Sequence, residues 1–127
     1  MRRTDQRRAA LVALYQGEVT DRPAGELLDR DSKSFTRELV EAVLRDRHEL
    51  DAVIQQHSIG WTLDRIAPLE RNILRLALEE LLHRPDVPAE VAIDEAVEAA
   101  KELCSAEAPA FVNGILGAVH RKEVTSA

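Results

Sequence analysis

Three features that mark secreted and membrane proteins are absent from this sequence of 127 residues. Cys104 is the only cysteine, so neither an internal disulfide nor a four-cysteine metal site can form. No segment approaches 18 consecutive apolar residues, which argues against a membrane span. The charged start leads into no long apolar run, so we expect no signal peptide and a cytoplasmic location.

The short motifs that mark most enzymes are also missing. The sequence has no glycine-rich nucleotide loop, no Walker-type phosphate loop, no His-Glu-x-x-His pair and no Gly-x-Ser-x-Gly elbow. The four histidines lie far apart without ligand spacing, at His48, His57, His83 and His120. Cys104 has no activating neighbour and is interpreted as a small buried residue. We therefore expect no catalytic residue, no cofactor and no metal site.

Aromatic residues are few, and period-two alternation is absent, so a sheet is not expected. Alanine and leucine carry much of the apolar content and favour helix. Apolar residues recur at spacings of three and four in five segments, and we predict helices over residues 4–16, 35–57, 69–82, 90–104 and 109–119. Two shorter helical pieces are predicted at 26–29 and 62–66. The expected fold is an all-α bundle.

We expect a single domain over residues 1–127, with a basic arm at 1–8 and a flexible polar tail at 120–127. The helix after Pro68 is apolar around most of its circumference and is predicted to be the central, buried one. Asn113 and Gly114 are poor choices for a helix interior. Gly114 is expected to permit close packing, and Asn113 either to bond a buried backbone group or to face a partner.

Positive charge is concentrated at the start of an otherwise acidic chain. The net charge is −6, which argues against a protein that coats nucleic acid without specificity. Residues 1–8 carry a net +3 and the remainder −9, because four arginines lie in this short segment: Arg2, Arg3, Arg7 and Arg8. Guanidinium groups bind phosphate bidentately and stack on bases, so this segment is a candidate RNA or DNA contact. A solvated, frayed terminus is the alternative, and Tyr15 either extends the surface by stacking or packs in the core.

Four ordered segments of the chain resemble the NusB family of transcription antitermination factors. They are the Arg-Arg segment at 7–15, the Glu-Arg-Asn-Ile-Leu-Arg segment at 70–77, Asp-Val-Pro at 86–88 followed by Ile-Asp-Glu-Ala-Val within 92–97, and Phe-Val-Asn-Gly-Ile-Leu at 111–116. The segments extend over nearly the whole chain, and the last two are specific at this spacing. The resemblance implies an all-helical fold of two packed helical subdomains.

The resemblance also implies a function. Members of the family bind boxA-type RNA of ribosomal RNA transcripts together with NusE, a small-subunit ribosomal protein, in an antitermination complex on RNA polymerase. By position, the RNA-binding residues are expected to be Arg2, Arg3, Arg7, Arg8 and Tyr15. The partner-binding residues are expected to be Glu70, Glu107, Phe111 and Asn113. A homodimer is a further expectation, because some family members are thought to self-associate.

One departure from the family pattern affects the expected affinity. Thr4 and Asp5 interrupt the basic run, and Asp5 opposes phosphate, so RNA binding is expected to depend more strongly on NusE. Two other interpretations stay open. One is an accessory module for ribosomal RNA modification, since a NusB-like domain also occurs fused to a ribosomal RNA methyltransferase. The other is a helical oligomer that does not bind RNA.

Overall fold

Five α-helices make up most of the chain in a computed structural model that describes residues 2–28, 32–60 and 62–126, and the side chains of all these except 124–126. The helices are α1 (Arg3–Thr20), α2 (Ser34–His57), α3 (Pro68–His83), α4 (Ala89–Leu103) and α5 (Ala108–Ser126). Two short 3₁₀ helices lie between them, at Ala24–Leu27 and Leu63–Arg65. No strand occurs in the described residues, so the predicted all-α class is confirmed.

Helix boundaries follow the local sequence closely where the apolar spacing is regular. α2 begins one residue earlier than predicted and ends as predicted, and α3 has Pro68 at its first position, where the missing N–H has no intrahelical partner to lose. The short helix predicted at 26–29 is instead a 3₁₀ helix at Ala24–Leu27, and Asp29 lies outside the described residues. Met1 and Ala127, the ends of the predicted domain, also lie outside them.

The predicted ends of two helices need correction. α1, whose first turns contain residues 3–8 of the predicted basic arm, continues beyond the predicted end at residue 16 to Thr20. The chain leaves α1 at Asp21, whose φ of 57° is left-handed. α5 extends to Ser126 rather than stopping at Val119, because the arginine, lysine and glutamate that follow are good helix formers. The flexibility of the last turns stays a prediction.

α3 is the central helix, as predicted. α1 packs on α2, α4 packs on α5, and α3 contacts all four of these helices. Its residues 72–80 are buried without interruption, and Leu74 and Leu78 have no exposed surface. The pair α1 and α2 and the pair α4 and α5 both pack on α3, which gives the fold of two packed subdomains. None of the described helices combines the length and apolar character needed to cross a lipid bilayer.

The structure does not support the predicted packing role of Gly114. Gly114 is exposed, and a Cβ placed on it would have no atom within 4 Å, so no close approach inside this chain requires glycine. Asn113 is exposed as well, which argues against a bond to a buried backbone group. Its expected contact with a partner stays a prediction.

Candidate nucleic-acid interface

The four N-terminal arginines do not form one surface, because successive positions of a helix point about 100° apart. Arg2, immediately before α1, is mostly exposed and its Nε lies 3.4 Å from Asp5 Oδ2. Arg3 is exposed, and its guanidinium carbon lies 3.7 Å from the centre of the Phe35 ring at the start of α2. In the part of the chain that the structure describes, Arg3 makes no ion pair with a carboxylate.

Arg7 points inward and is only 6% exposed. Its Nε lies 2.8 Å from Glu80 Oε1 and its Nη2 2.9 Å from Glu80 Oε2, a bidentate pair with a carboxylate that is 1% exposed. Burial alone would lower the pKa of Arg7, but the hydrogen bond and charge of Glu80, and then the charge of Glu95, raise it overall. This placement favours a role in holding α1 against α3 over direct RNA contact.

Arg8 lies on another face of α1, beside α4. Its Nη2 donates to Glu102 Oε2 at 2.7 Å, and one turn earlier Thr4 Oγ1 donates to Glu95 Oε1 at 2.8 Å. Glu102 is exposed and Arg8 half-buried, so this ion pair is open to solvent on one side. A phosphate that binds Arg8 must therefore compete with Glu102.

Tyr15 shares a face of α1 with Arg8, since residues seven apart lie two turns from each other along one side of a helix. It is half-buried, and Val12, which lies between them, is 47% exposed. The two predicted RNA-contacting groups, Tyr15 and Arg8, are therefore compatible with one surface. Arg2 and Arg3 lie on other sides of the helix.

Arg84 is a cation near this region that the sequence did not single out. It follows α3 directly, and its guanidinium carbon lies 5.1 Å from the centre of the Phe35 ring that Arg3 also covers. Its nitrogens lie 3.7 Å from Glu38 Oε1 and 3.3 Å from Asp86 Oδ2. The sequence could not indicate Arg84, since it lies outside the N-terminal group of arginines. Only folding brings it beside the start of α1.

Three of the four predicted partner-binding residues lie together. Glu70, near the start of α3, Glu107, immediately before α5, and Phe111, in its first turn, line an open groove of about 400 Å³, here named the acidic groove. Arg65 is the one cation among its lining residues. Burial, and then the charge of Glu107, raise the pKa of Glu70. Asn113 does not line the groove. Its position, two residues beyond Phe111, turns it by about 200° around α5.

The apolar pattern of α3 predicted a buried helix but did not indicate that four polar residues are buried with it, namely Asn72, Arg75, Glu79 and Glu80. Their partners come from α1 and α2. Glu18 accepts from Asn72 Nδ2 at 2.7 Å and from Arg75 Nη1 at 3.0 Å, and it also pairs with Arg71. Arg75 Nε in turn donates to Asp51 Oδ1 at 2.6 Å. We name Glu18, Asp51, Arg71, Asn72 and Arg75 the buried polar network, in which Asn72 and Arg75 are buried and the other three are partly buried.

Burial would raise the pKa of Glu18, but its hydrogen bonds from Arg71 and Asn72, together with the charge of Arg75, lower it overall. One turn beyond Arg75 on α3, the Oε1 atom of Glu79 is buried and has no hydrogen-bond partner among the described residues. Burial, and then the neighbouring Asp46 carboxylate, raise the pKa of Glu79 to about 7.

An exposed basic end of a helix and a separate acidic groove on an all-helical bundle are typical of a small adaptor with an anionic and a basic partner. Residues 4–121 match the model of the NusB family, and the chain belongs to this family. A transcription antitermination protein NusB from Myxococcus xanthus (strain DK1622) is 44% identical over 131 residues, covering 93% of each chain. A protein of the same name from Rubrobacter xylanophilus (strain DSM 9941 / JCM 11954 / NBRC 16129 / PRD-1) is 44% identical over 122 residues, covering 91% of this chain and 88% of that protein.

Solved structures agree with this assignment. NusB from T. maritima has a TM-score of 0.87 and 32% identity, covering 100% of this chain and 99% of that chain. A chain in the crystal structure of the antitermination factors NusB and NusE in complex with double-stranded RNA has a TM-score of 0.84 and 27% identity, covering 94% of this chain and 96% of that chain. The fold expected from the resemblance is therefore confirmed.

Proposed function

We propose that this chain is an RNA-binding transcription antitermination factor that binds boxA-type RNA of ribosomal RNA transcripts together with NusE. The observation that carries this proposal is the similarity, over 94% of this chain, to a chain in the complex of NusB, NusE and double-stranded RNA. In this function the chain works in the cytoplasm as part of an antitermination complex on RNA polymerase. It performs no chemistry itself.

The RNA contact is assigned to the exposed arginines and to Tyr15. Arg2 and Arg3 present exposed guanidinium groups, and Arg8 and Tyr15 share a second face of α1. Guanidinium groups bind phosphate and tyrosine stacks on unpaired bases, so the set suits single-stranded RNA. Arg7 is assigned an indirect role: it is buried, its charge is neutralised by Glu80, and this pair holds α1 in position.

An electrophoretic shift assay with a boxA-type RNA tests this function directly. We expect a weak shift with the chain alone, because Asp5 and Glu102 compete for Arg2 and Arg8, and a stronger shift when NusE is added. A scrambled RNA of the same length is the control for sequence preference. If neither RNA shifts under either condition while the chain self-associates in sedimentation, the helical oligomer is the correct interpretation. A homodimer that also shifts boxA-type RNA agrees with the proposal.

The acidic groove is assigned to NusE. Two carboxylates beside an aromatic ring suit a basic ribosomal protein, since charge complementarity accelerates association and favours the correct partner. The double variant Glu70→Lys with Glu107→Lys is expected to weaken NusE binding at least tenfold in calorimetry. Its circular dichroism spectrum should stay helical, because both groups are at least partly exposed.

A control double variant with the same change of net charge distinguishes the loss of a local contact with NusE from a general effect of net charge on binding. Glu90 and Glu98 are exposed on α4, away from the acidic groove, so Glu90→Lys with Glu98→Lys should leave NusE affinity nearly unchanged. Equal losses in the two double variants would remove the assignment of the groove. Phe111→Ala tests its apolar part, and Asn113→Ala tests the exposed side of α5.

A further inference from the structure

Two carboxylates and an imidazole meet between α2 and α3, and none of the three residues lines the acidic groove. Glu79 and His83 are four residues apart and therefore lie one turn from each other on the same side of α3. Asp46 faces them from α2. One ligand atom from each of the three residues lies within 4.8 Å of the other two. Sequence spacing predicted no such group, because one of its members comes from a different helix.

Glu79 is the feature of this cluster that needs an explanation. It is 1% exposed, and its Oε1 is buried without a hydrogen-bond donor among the described residues. The nearby cation, Arg45, is directed at Asp46, with Nε and Nη2 3.3 and 3.2 Å from its two oxygens. A buried carboxylate oxygen without a donor is costly, and the nearby charges of His83 and Arg45 do not offset the burial of Glu79, so a further positive species is expected beside this oxygen.

We propose that Asp46, Glu79 and His83 bind a divalent transition-metal cation, for which Zn²⁺ is the best match. Zn²⁺ accepts carboxylate oxygen and imidazole nitrogen together, usually with four ligands, so three side chains leave one position for water. Ligand atoms around such an ion lie about 3.3 Å apart, because the bonds are about 2.0–2.2 Å long. Small side-chain rotations therefore close the observed cluster around an ion.

The surroundings of His83 support this assignment. Its Nε2 contacts the carboxylate of Glu49, and metal-ligating histidines commonly have such a carboxylate partner, which orients the ring and strengthens it as a ligand. The side chains of His83 and Glu49 are both partly exposed, so an ion can enter from solvent. The bound ion would link α2 to α3 and give Glu79 Oε1 a bonded positive partner. None of its three residues is among those assigned to RNA or to NusE.

Calorimetric titration of the chelator-treated chain with Zn²⁺ tests the proposal. We expect one ion per chain and at least tenfold weaker binding for Glu79→Gln and for His83→Ala. Matched controls remove the same groups elsewhere, with Glu98→Gln and His48→Ala, and should bind as the unchanged chain does. Both control residues are exposed.

Thermal unfolding with and without Zn²⁺ gives a second readout, which distinguishes a lost metal site from a variant that fails to fold. Glu79→Gln keeps the shape of the side chain and gives it a donor towards Asp46, so without metal this variant should be at least as stable as the unchanged chain. Zn²⁺ should then raise the unfolding temperature of the unchanged chain but not that of the variant. Absence of saturable binding, or equal affinity in cluster and control variants, would overturn the proposal and leave a shared proton between Asp46 and Glu79.

Discussion

Arg7 and Arg8 are adjacent and carry the same charge, yet their environments differ fundamentally. The rotation between neighbours in a helix turns Arg7 into the interior against Glu80 and Arg8 towards the rim of α4. A buried pair gains its attraction only after both charges have lost their hydration, so removing one partner leaves the other charge unpaired. The same substitution at these two positions therefore has different consequences.

Arg7→Ala is expected to destabilise the fold by about 3–5 kcal/mol, because it leaves Glu80 buried without a cation. Arg8→Ala should cost only about 0–1 kcal/mol, because its partner Glu102 is exposed. Urea denaturation followed by circular dichroism measures both values. Similar unfolding midpoints for the two variants would contradict the burial of Arg7 described here.

Whether a residue's environment could be predicted from the sequence depended on how far away in the chain its contact partners lie. The positions of α2 and α3 could be predicted, because apolar residues at spacings of three and four mark a buried stripe without knowledge of the neighbours. The environment of Arg7 could not, because Glu80 lies 73 residues away. The family resemblance indicated Glu70, Glu107 and Phe111, which lie together in the acidic groove. The burial and the ion pairs of the arginines could be seen only in the structure.

At the scale of elements, α1 is held against the segment that follows it by a close approach at Gly17. A Cβ there would lie 2.9 Å from the carbonyl oxygen of Arg22 and 3.0 Å from Ala24 Cβ. Gly17→Ala is therefore expected to destabilise the fold by about 1–3 kcal/mol through overpacking, despite the better helix propensity of alanine. Gly25→Ala is the matched control, since nothing lies within 4 Å of its added Cβ. Thermal unfolding of both variants checks this, and equal behaviour would contradict it.

The buried polar network joins α1, α2 and α3 and should make stability depend on pH. The pKa of Glu18 is lowered in the folded chain from its ordinary value of 4.5. Its stabilising contribution is therefore complete above that ordinary value and is lost as the pH falls through the lower folded-state pKa.

Glu18→Gln should remove this part of the acid sensitivity. Between about pH 5 and pH 3, its free energy of unfolding should fall less steeply than that of the unchanged chain, although it starts lower at neutral pH. Glu90→Gln, at an exposed position of α4, should keep the slope of the unchanged chain. Parallel curves for all three proteins in urea denaturation at several pH values would show that Glu18 is not responsible.

For the whole molecule, the distribution of charge sets how it can meet RNA. The chain is acidic overall, and two of its four N-terminal arginines are paired with carboxylates of other helices, Glu80 and Glu102. Free RNA is repelled by the acidic body, while the exposed arginines give local attraction. This balance explains why a second, basic partner such as NusE should strengthen RNA binding: it adds positive charge to the assembly.

Exposed arginines of this chain are expected to contact RNA phosphates in the presence of NusE. The most direct test is the salt dependence of boxA-type RNA affinity, measured with NusE for the unchanged chain and for Arg2→Ala with Arg3→Ala. Each phosphate contact on a single strand contributes about −0.7 to the slope of log affinity against log salt, so the double variant should bind more weakly with a slope flatter by up to about 1.4. Its stability should fall by only about 0.5–1 kcal/mol, because Arg3 loses its contact with the Phe35 ring while Arg2 is fully at the surface. Identical affinities and identical salt slopes for the two proteins would contradict the account.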